Sequence, residues 1–216
     1  AASTTPLRLY RGCTGGTFEN KAGVVPTADG YMGYWPMEEA SGLLYDWTTN
    51  AYNGTRVSAV TTGQVGQGQN TFTAGSDTGL TGVKPMHVGF WYYNTGTTGD
   101  RRIIGYGDTY VGANGLEVIP SLGGNIYAVI RNAGANGDIL RPALNNQWVR
   151  YDLVIDGSGS TLYLNGAIAG TGALTTYTVP PWQKWYWGSS GDPAYGLFVG
   201  TLDECILSAA RSANWI

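Results

Sequence analysis

Histidine, cysteine and lysine are all scarce in this sequence of 216 residues. The chain has one histidine, His87, two cysteines, Cys13 and Cys205, and only three lysines. One histidine and two cysteines are too few ligands for a zinc site. The 12 Lys and Arg residues are scattered, the formal net charge is −3, and no basic stripe exists for a phosphate backbone. We therefore expect neither zinc chemistry nor a nucleic-acid partner.

Long hydrophobic runs are also missing. No stretch approaches the roughly 20 apolar residues that a membrane-spanning helix needs, because Gly, Asn or Thr interrupts every run. The sequence contains no phosphate-binding loop and no dinucleotide-binding fingerprint. We expect no membrane insertion and no required cofactor.

Strand signals fill most of the chain, which contains 34 glycines, 15 tyrosines and 8 tryptophans. Residues 86–93 and 125–131 are rich in aromatic and β-branched side chains, and each run ends in a turn sequence. Residues 148–155 alternate apolar and polar side chains, and an Asp-Gly turn leads into residues 161–164, as in a β-hairpin. Many short strands with Gly-rich connections predict an all-β, two-sheet antiparallel sandwich of the jelly-roll type.

The two ends of the chain differ from this pattern. Residues 1–30 contain prolines and glycines with little alternation, so we expect an extended N-terminal arm that packs on its own domain or on a neighbouring subunit. Residues 31–216 form one domain by length. Residues 208–215 are the one segment with helix signals, and Ser208 would cap the first turn of a short C-terminal helix.

Cys13 and Cys205 lie near opposite ends of the chain. A disulfide that joins the termini is one interpretation, if the protein resides in an oxidising compartment. Two separate thiols in a reduced protein are the other, and the sequence is compatible with both.

Six segments follow one another in a characteristic order. They are residues 33–42 (GYWPMEEASG), 45–55 (YDWTTNAYNGT), 63–68 (GQVGQG) with Phe72, 88–91 (VGFW), 147–166 and 200–208 (GTLDECILS). In this order they resemble the LamG-like, concanavalin A-like lectin/glucanase superfamily over residues 31–216. The resemblance implies two antiparallel sheets whose first and last strands pair, which would bring Tyr34 beside residues 202–207.

This architecture serves lectins, carbohydrate-binding modules, glycosidases, adhesive modules and virus-particle components, so fold analogy alone does not give the function. The laminarinase-like members place their catalytic carboxyls on one strand as Glu-x-Asp-x-Glu or a variant of it. That pattern is absent among the five glutamates of this chain. Asp203 and Glu204 are adjacent, so we expect them on opposite faces of a strand. We expect no enzyme.

His87 and the pair Arg150 and Asp152 have structural interpretations. We expect His87 to be a hydrogen-bonded strand histidine, because no nucleophile elbow accompanies it. Arg150 and Asp152 share one face of a predicted strand, which favours an ion pair over catalysis.

Calcium is a further candidate, because some relatives hold a structural ion where the first and last strands meet. The residues that would bind it here are Glu38, Asp46 and Asp203. In the alternative interpretation Glu38 and Glu39 are solvated and Asp203 pairs with a backbone amide.

Aromatic residues after Pro180-Pro181 are the positive signal for a ligand, because flat rings with polar tips stack on sugar faces. The candidate ligand-binding residues are Trp182, Tyr186, Tyr177, Tyr195 and Asp192. Core packing is the alternative for this cluster, and we expect it for Trp185 and Trp187.

The sequence thus predicts a non-catalytic recognition module, glycan-binding or adhesive, displayed on an extracellular or virus-particle surface. The alternative is a purely structural subunit, such as a phage decoration, fibre or tail protein or a filament component, that docks on neighbours through residues 1–30. A homo-oligomer is compatible with either interpretation, and a glycosidase is the remote alternative.

Overall fold

A computed structural model describes residue 25 and residues 27–96, 99–106, 114–190 and 196–211 of the chain. Most of the predicted arm, including Cys13, lies outside these residues. The described part consists of β-strands and a single 3-10 turn, Thr27–Asp29. None of its helical segments has the length and apolar character that crossing a membrane requires. The all-β prediction is confirmed.

Nineteen strands are present in the described ranges. In chain order they are β1 Tyr31–Trp35, β2 Leu43–Leu44, β3 Gly54–Thr55, β4 Ala59–Thr62, β5 Gln67–Asn70, β6 Ser76–Thr81, β7 His87–Asn94, β8 Arg101–Arg102, β9 Ile104–Tyr106, β10 Gly115–Leu122, β11 Asn125–Asn132, β12 Ala135–Asn136, β13 Ile139–Pro142, β14 Trp148–Asp156, β15 Gly159–Leu164, β16 Ala167–Gly172, β17 Lys184–Trp187, β18 Gly196–Leu197 and β19 Gly200–Ser208.

Two large antiparallel sheets form the sandwich. The first has eight strands in the order β16-β15-β14-β7-β19-β5-β4, with β1 also paired to β19. The second has seven strands in the order β12-β11-β10-β9-β17-β6, with β13 also paired to β11. Tyr34 of β1 lies opposite Ile206 of β19, so the expected pairing of the first and last strands is confirmed.

Period-2 alternation places the core between the sheets. On β7, Val88, Phe90 and Tyr92 point inward and are buried, and the residues between them point to the outer face. The Phe90 ring stacks on Tyr151 of β14 at 4.8 Å and meets the edge of Trp187, from the second sheet, at 5.9 Å. Aromatic pairs of this kind add about 0.5–1.5 kcal/mol beyond the area that they bury.

A second, smaller apolar cluster lies on the outer face of the first sheet. Val25, Tyr31, Tyr34 and Ile206 form it, and Trp47 packs against them. The edge of the Tyr34 ring contacts Trp47 with ring centroids 6.2 Å apart. Because Tyr31 pairs with Ser208, which in turn pairs with His87, this cluster covers the His87 end of the outer face.

The predicted C-terminal helix does not begin at Ser208. Ser208 is the last residue of β19 and pairs with both Tyr31 and His87. Residues 209–211 contain no helix, and residues 212–216 lie outside the described part. Two strand neighbours outweigh the weak helix propensity of Ser208, because strand pairing satisfies its backbone groups on both sides.

Cys205 is buried in the core. Because Cys13 lies outside the described residues, its pairing with Cys205 stays a prediction.

Candidate functional site

Strand β17 combines a buried face with an accessible one. Trp185 and Trp187 point into the core and are fully buried, as expected. Lys184 and Tyr186 alternate with them and therefore point to the outer face of the second sheet. Trp182 precedes the strand and is 73% exposed. We call the surface formed by Trp182, Lys184, Tyr186 and their neighbours the β17 face.

Polar groups with fixed positions flank Tyr186. Asp77 of β6 lies opposite Tyr186, and its Oδ2 is 2.6 Å from the Nζ of Lys184. On the other side Tyr186 pairs with Gly105 of β9, which pairs in turn with Glu117 of β10. A half-exposed ring thus lies in a row between two carboxylates.

Gly105 leaves space in this row for a loop. A Cβ atom added at Gly105 would lie 3.0 Å from the Cβ of Ser190, so the loop after β17 lies directly on the sheet between Tyr186 and Glu117. Any larger residue at position 105 would push the loop away from the sheet.

Glu117 is held by an arginine. The Nε of Arg102 donates to the Oε2 of Glu117 at 2.8 Å, and its Nη1 donates to Asp100. Burial raises the pKa of Glu117, against the opposing effect of Arg102. Among the described residues of this face, Lys184 and Arg102 are each paired with a carboxylate, so these groups are suited to hydrogen bonding rather than to binding a free anion.

The predicted ligand residues separate into three groups. Trp182 and Tyr186 are accessible on the β17 face. Tyr177 is buried, its ring meets Trp185 edge-on at 6.4 Å and its hydroxyl donates to the carbonyl of Pro85, so a ligand cannot reach it. Asp192 and Tyr195 lie outside the described residues.

The sequence pattern did not predict a role for Glu117, Arg102, Asp100 or Ser190. These residues come from separate strands and a loop, and only the sheet order brings them together. The one sequence feature that could have indicated Glu117 is its position between Leu116 and Val118. Because these apolar neighbours are buried, the Glu117 carboxylate lies on the outer face of the sheet.

The three residues expected to bind calcium have other partners. Both carboxylate oxygens of Asp46 accept backbone amides, from Tyr34, Thr48 and Tyr52, each at 2.9 Å. Asp203 accepts the amide of Val65 at 2.7 Å, and Glu38 is half-buried. Among the residues that the structure describes, no three His, Cys, Asp or Glu side chains are grouped closely enough to hold a metal ion.

A calcium ion at Glu38, Asp46 and Asp203 stays a prediction. If it binds there, EDTA lowers the melting temperature and added calcium restores it. An unchanged melting temperature in EDTA contradicts the prediction.

Asp203 and Glu204 lie on the same side of β19, contrary to the expectation. An extra residue interrupts the pairing with β7 between Asp203 and Ile206, and Glu204 adopts a φ of 51°. Such a bulge breaks the alternation. Asp203 lies opposite Trp91 on the outer face, and Glu204 accepts the hydroxyl of Tyr34 there.

Burial raises the pKa of both carboxyls, to about 7 for Asp203 and about 7 for Glu204. Both side chains are buried, so this pair is not presented to a saccharide in this structure.

His87 takes part in a buried hydrogen-bond chain, as expected for a strand histidine. Its Nε2 lies 3.0 Å from the Oδ1 of Asp152, and its Nδ1 lies 3.0 Å from the Oγ of Ser208. The Oγ of Ser208 also accepts a hydrogen bond from the Nε of Arg211 at 3.0 Å. Ser208 is fully buried, so its hydroxyl is not available as a nucleophile. Arg150 forms the expected ion pair with Asp152.

Two stacked antiparallel sheets with an accessible aromatic and hydrogen-bonding surface define a lectin-like domain. Residues 66–216 match the model of the "Concanavalin A-like lectin/glucanases superfamily". The chain belongs to this superfamily, which confirms the resemblance.

Solved structures share the fold at low sequence identity. Domain 4 of AbnA, a GH43 extracellular arabinanase from Geobacillus stearothermophilus, in complex with arabinotriose, is 15% identical with a TM-score of 0.65, over 86% of this chain and 96% of that one. The CBM40 of the Ruminococcus gnavus IT-sialidase, bound to α2,3 sialyllactose, is 13% identical with a TM-score of 0.55, over 68% and 92%.

The receptor-binding domain of botulinum neurotoxin D is 15% identical with a TM-score of 0.61, over 86% of this chain and 51% of that one. At these identities the likeness shows the fold alone. No protein of curated function shows significant sequence similarity to the chain.

Proposed function

We propose that this protein is a non-catalytic glycan-binding module whose β17 face contacts a saccharide. The observation that carries the proposal is the outward placement of Tyr186 among the paired charges of the second sheet, with Trp182, 73% exposed, shortly before the same strand. Exposed aromatic surface rimmed by polar groups is typical of ligand-binding sites. Sugars offer the matching chemistry, because their apolar faces stack on rings while their hydroxyls bind carboxylates and guanidinium groups.

Charge balance on the β17 face favours a neutral saccharide. Lys184 is paired with Asp77, and Arg102 is paired with both Glu117 and Asp100. An anionic sugar would have to compete with one of these carboxylates for its cation. A hydroxyl can instead share a carboxylate oxygen without breaking the pair.

The structural relatives support a binding role. Their titles name a domain in complex with arabinotriose, a module bound to sialyllactose and a receptor-binding domain. Hydrolysis of a glycoside needs two carboxyls about 5 to 10 Å apart across an accessible bond. The raised-pKa pair, Asp203 and Glu204, is buried on the other sheet, which supports a module that binds without cleaving.

We expect Trp182→Ala and Tyr186→Ala each to weaken saccharide binding about tenfold, because truncating an aromatic contact at the centre of a binding surface costs more than about 1 kcal/mol. Binding is measured by affinity electrophoresis and calorimetry with arabinan, xylan, mannan, β-glucan and sialyllactose.

Ile168→Ala is the matched control for these variants. Ile168 is 67% exposed on β16 of the first sheet, away from the β17 face, so its replacement should leave affinity unchanged within about twofold. Equal affinity of all three variants, or absence of binding to every saccharide at about 10 mM, contradicts the proposal.

We also propose display at an extracellular or virus-particle surface, where such ligands occur. One structural relative comes from an extracellular enzyme. Protease and antibody accessibility of the protein on intact cells or particles tests this location. Protection from both contradicts it.

A further inference from the structure

A second group of aromatic residues lies on the outer face of the first sheet, away from the β17 face. Trp91 and Tyr93 of β7 point outward, and Trp148 of β14 lies opposite Tyr93. All three are half-buried. The rings of Tyr93 and Trp148 meet edge to face, with centroids 5.8 Å apart at 62°. We call this group the β7-β14 surface.

The apolar cluster on this sheet lies at the opposite end of β7. Tyr31 and Ile206 are the members of that cluster beside His87 and Gly89, whereas Tyr93 pairs with Thr201 near the other end of the strand. The apolar cluster thus covers one end of the outer face. At the other end, Trp91, Tyr93 and Trp148 remain partly accessible to solvent.

Fixed polar groups adjoin the rings. Gly89 lies two residues before Trp91 on the same face, and a Cβ atom there would lie 2.5 Å from the Oδ1 of Asp152 and 2.6 Å from the Nη2 of Arg150. The guanidinium binds Asp152 through two nitrogens, at 2.8 and 3.0 Å. This bidentate geometry holds Arg150 in place beside Trp91, its strand neighbour.

The guanidinium of Arg150 is fixed beside these rings by its ion pair with Asp152. Rings that are held in place beside fixed hydrogen-bonding groups are the arrangement that orients a sugar, because no side-chain freedom has to be lost on binding.

We propose that the β7-β14 surface is a second saccharide-binding site, separate from the β17 face and specific for neutral sugars. Arg150 is already paired with Asp152. An anionic sugar would therefore find no unpaired cation on the described part of this surface. Two sites on opposite sheets allow one module to bridge two saccharide chains, with a gain in avidity on a polysaccharide surface.

Fluorine NMR on the full chain labelled with 5-fluorotryptophan tests both sites at once. Each fluorine signal is assigned by a Trp→Phe variant. Neutral oligosaccharides of arabinose, xylose, mannose and glucose are then added to about 10 mM. At this concentration a site with a Kd of about 1 mM is about nine-tenths occupied. We expect the signals of Trp91 and Trp148 to shift with a neutral sugar and to stay unchanged with sialyllactose.

The outcomes separate this inference from the proposed function. Shifts of Trp182 alone overturn the second site and leave the β17 face intact, and shifts of Trp91 and Trp148 alone do the reverse. Signals of Trp91 and Trp148 that move with protein concentration rather than with sugar indicate self-association and also overturn the second site.

Two variants complete the test. Tyr93→Ala should weaken the titration read at Trp91 at least tenfold and leave the one read at Trp182 within twofold. Tyr186→Ala should have the opposite effect. The ligand-induced shifts on the unmodified protein decide the question if Tyr93→Ala does not fold.

Discussion

Replacing Asp203 by Asn and Glu204 by Gln should stabilise the folded protein by several kcal/mol at pH 8 and change its stability little at pH 4. Burial raises the pKa of Asp203 from 3.8 to about 7 and that of Glu204 from 4.5 to about 7. One pKa unit corresponds to about 1.4 kcal/mol, so ionising a carboxyl shifted this far opposes folding by on the order of 3–4 kcal/mol. The neutral amides avoid this cost.

The sign follows from proton binding. Between about pH 4 and pH 7 the folded protein holds protons on Asp203 and Glu204 that the unfolded chain has already released. Unfolding then releases protons, so the free energy of unfolding falls as the pH rises through this window. The stabilisation is fully present below about pH 4 and is lost above about pH 7.

His87 acts in the opposite direction in part of this window, because burial lowers its pKa and the unfolded chain takes up a proton below about pH 6.5. This contribution is common to the unmodified protein and to the variant, so the difference between them isolates the two carboxyls.

Urea denaturation at half-unit pH intervals measures the effect. The curves of the unmodified protein and of D203N/E204Q should meet near pH 4 and diverge up to pH 7. Asp156→Asn is the control, since Asp156 is an exposed turn residue whose pKa is lowered by the hydroxyl and amide of Ser158. It should not reproduce the divergence. Parallel curves for D203N/E204Q would falsify the pKa assignment.

The same two residues show where sequence patterns predict the fold and where they fail. Alternation correctly assigned Arg150 and Asp152 of β14 to one face and Trp185 and Trp187 of β17 to the core, because β14 pairs in continuous register with β7 and β17 with β9. The pattern failed at Glu204, which takes a left-handed conformation that only tertiary contacts select. One extra residue then brought Asp203 and Glu204 to the same side.

The candidate site was predictable only where one strand carries it. Trp182 and Tyr186 could be predicted from the alternation around Trp185 and Trp187. Glu117 and Arg102 lie on other strands, and only the order of strands in the sheet brings them near Tyr186. Tyr177 was a candidate ligand residue, but the structure buries it in the core. Its segment lies outside any strand, so there was no alternation of apolar and polar residues from which to predict its orientation.

Asp152→Ala should destabilise the protein by about 3–5 kcal/mol, because it removes one member of a buried ion pair and leaves the other charge without compensation. Asp152 is buried and binds both Arg150 and His87. Burial alone would raise the pKa of Asp152, but Arg150 and His87 together hold it below its ordinary value. The carboxylate is therefore ionised at neutral pH, and its charge supports both partners.

Asp138→Ala is the matched control, since Asp138 pairs with Arg131 at 3.4 Å where both side chains are partly exposed. We expect it to cost at most about 1 kcal/mol. Thermal and urea unfolding at pH 7 measure both variants, and equal destabilisation would show that the Asp152 network is solvated rather than buried.

The destabilisation caused by Asp152→Asn should lie between those of Asp152→Ala and Asp138→Ala, because the amide keeps the hydrogen-bonding shape but loses the charge. If the network also holds Arg150 in place, Asp152→Asn should weaken sugar-induced shifts at Trp91 while leaving those at Trp182 unchanged, since the β17 face shares none of these contacts.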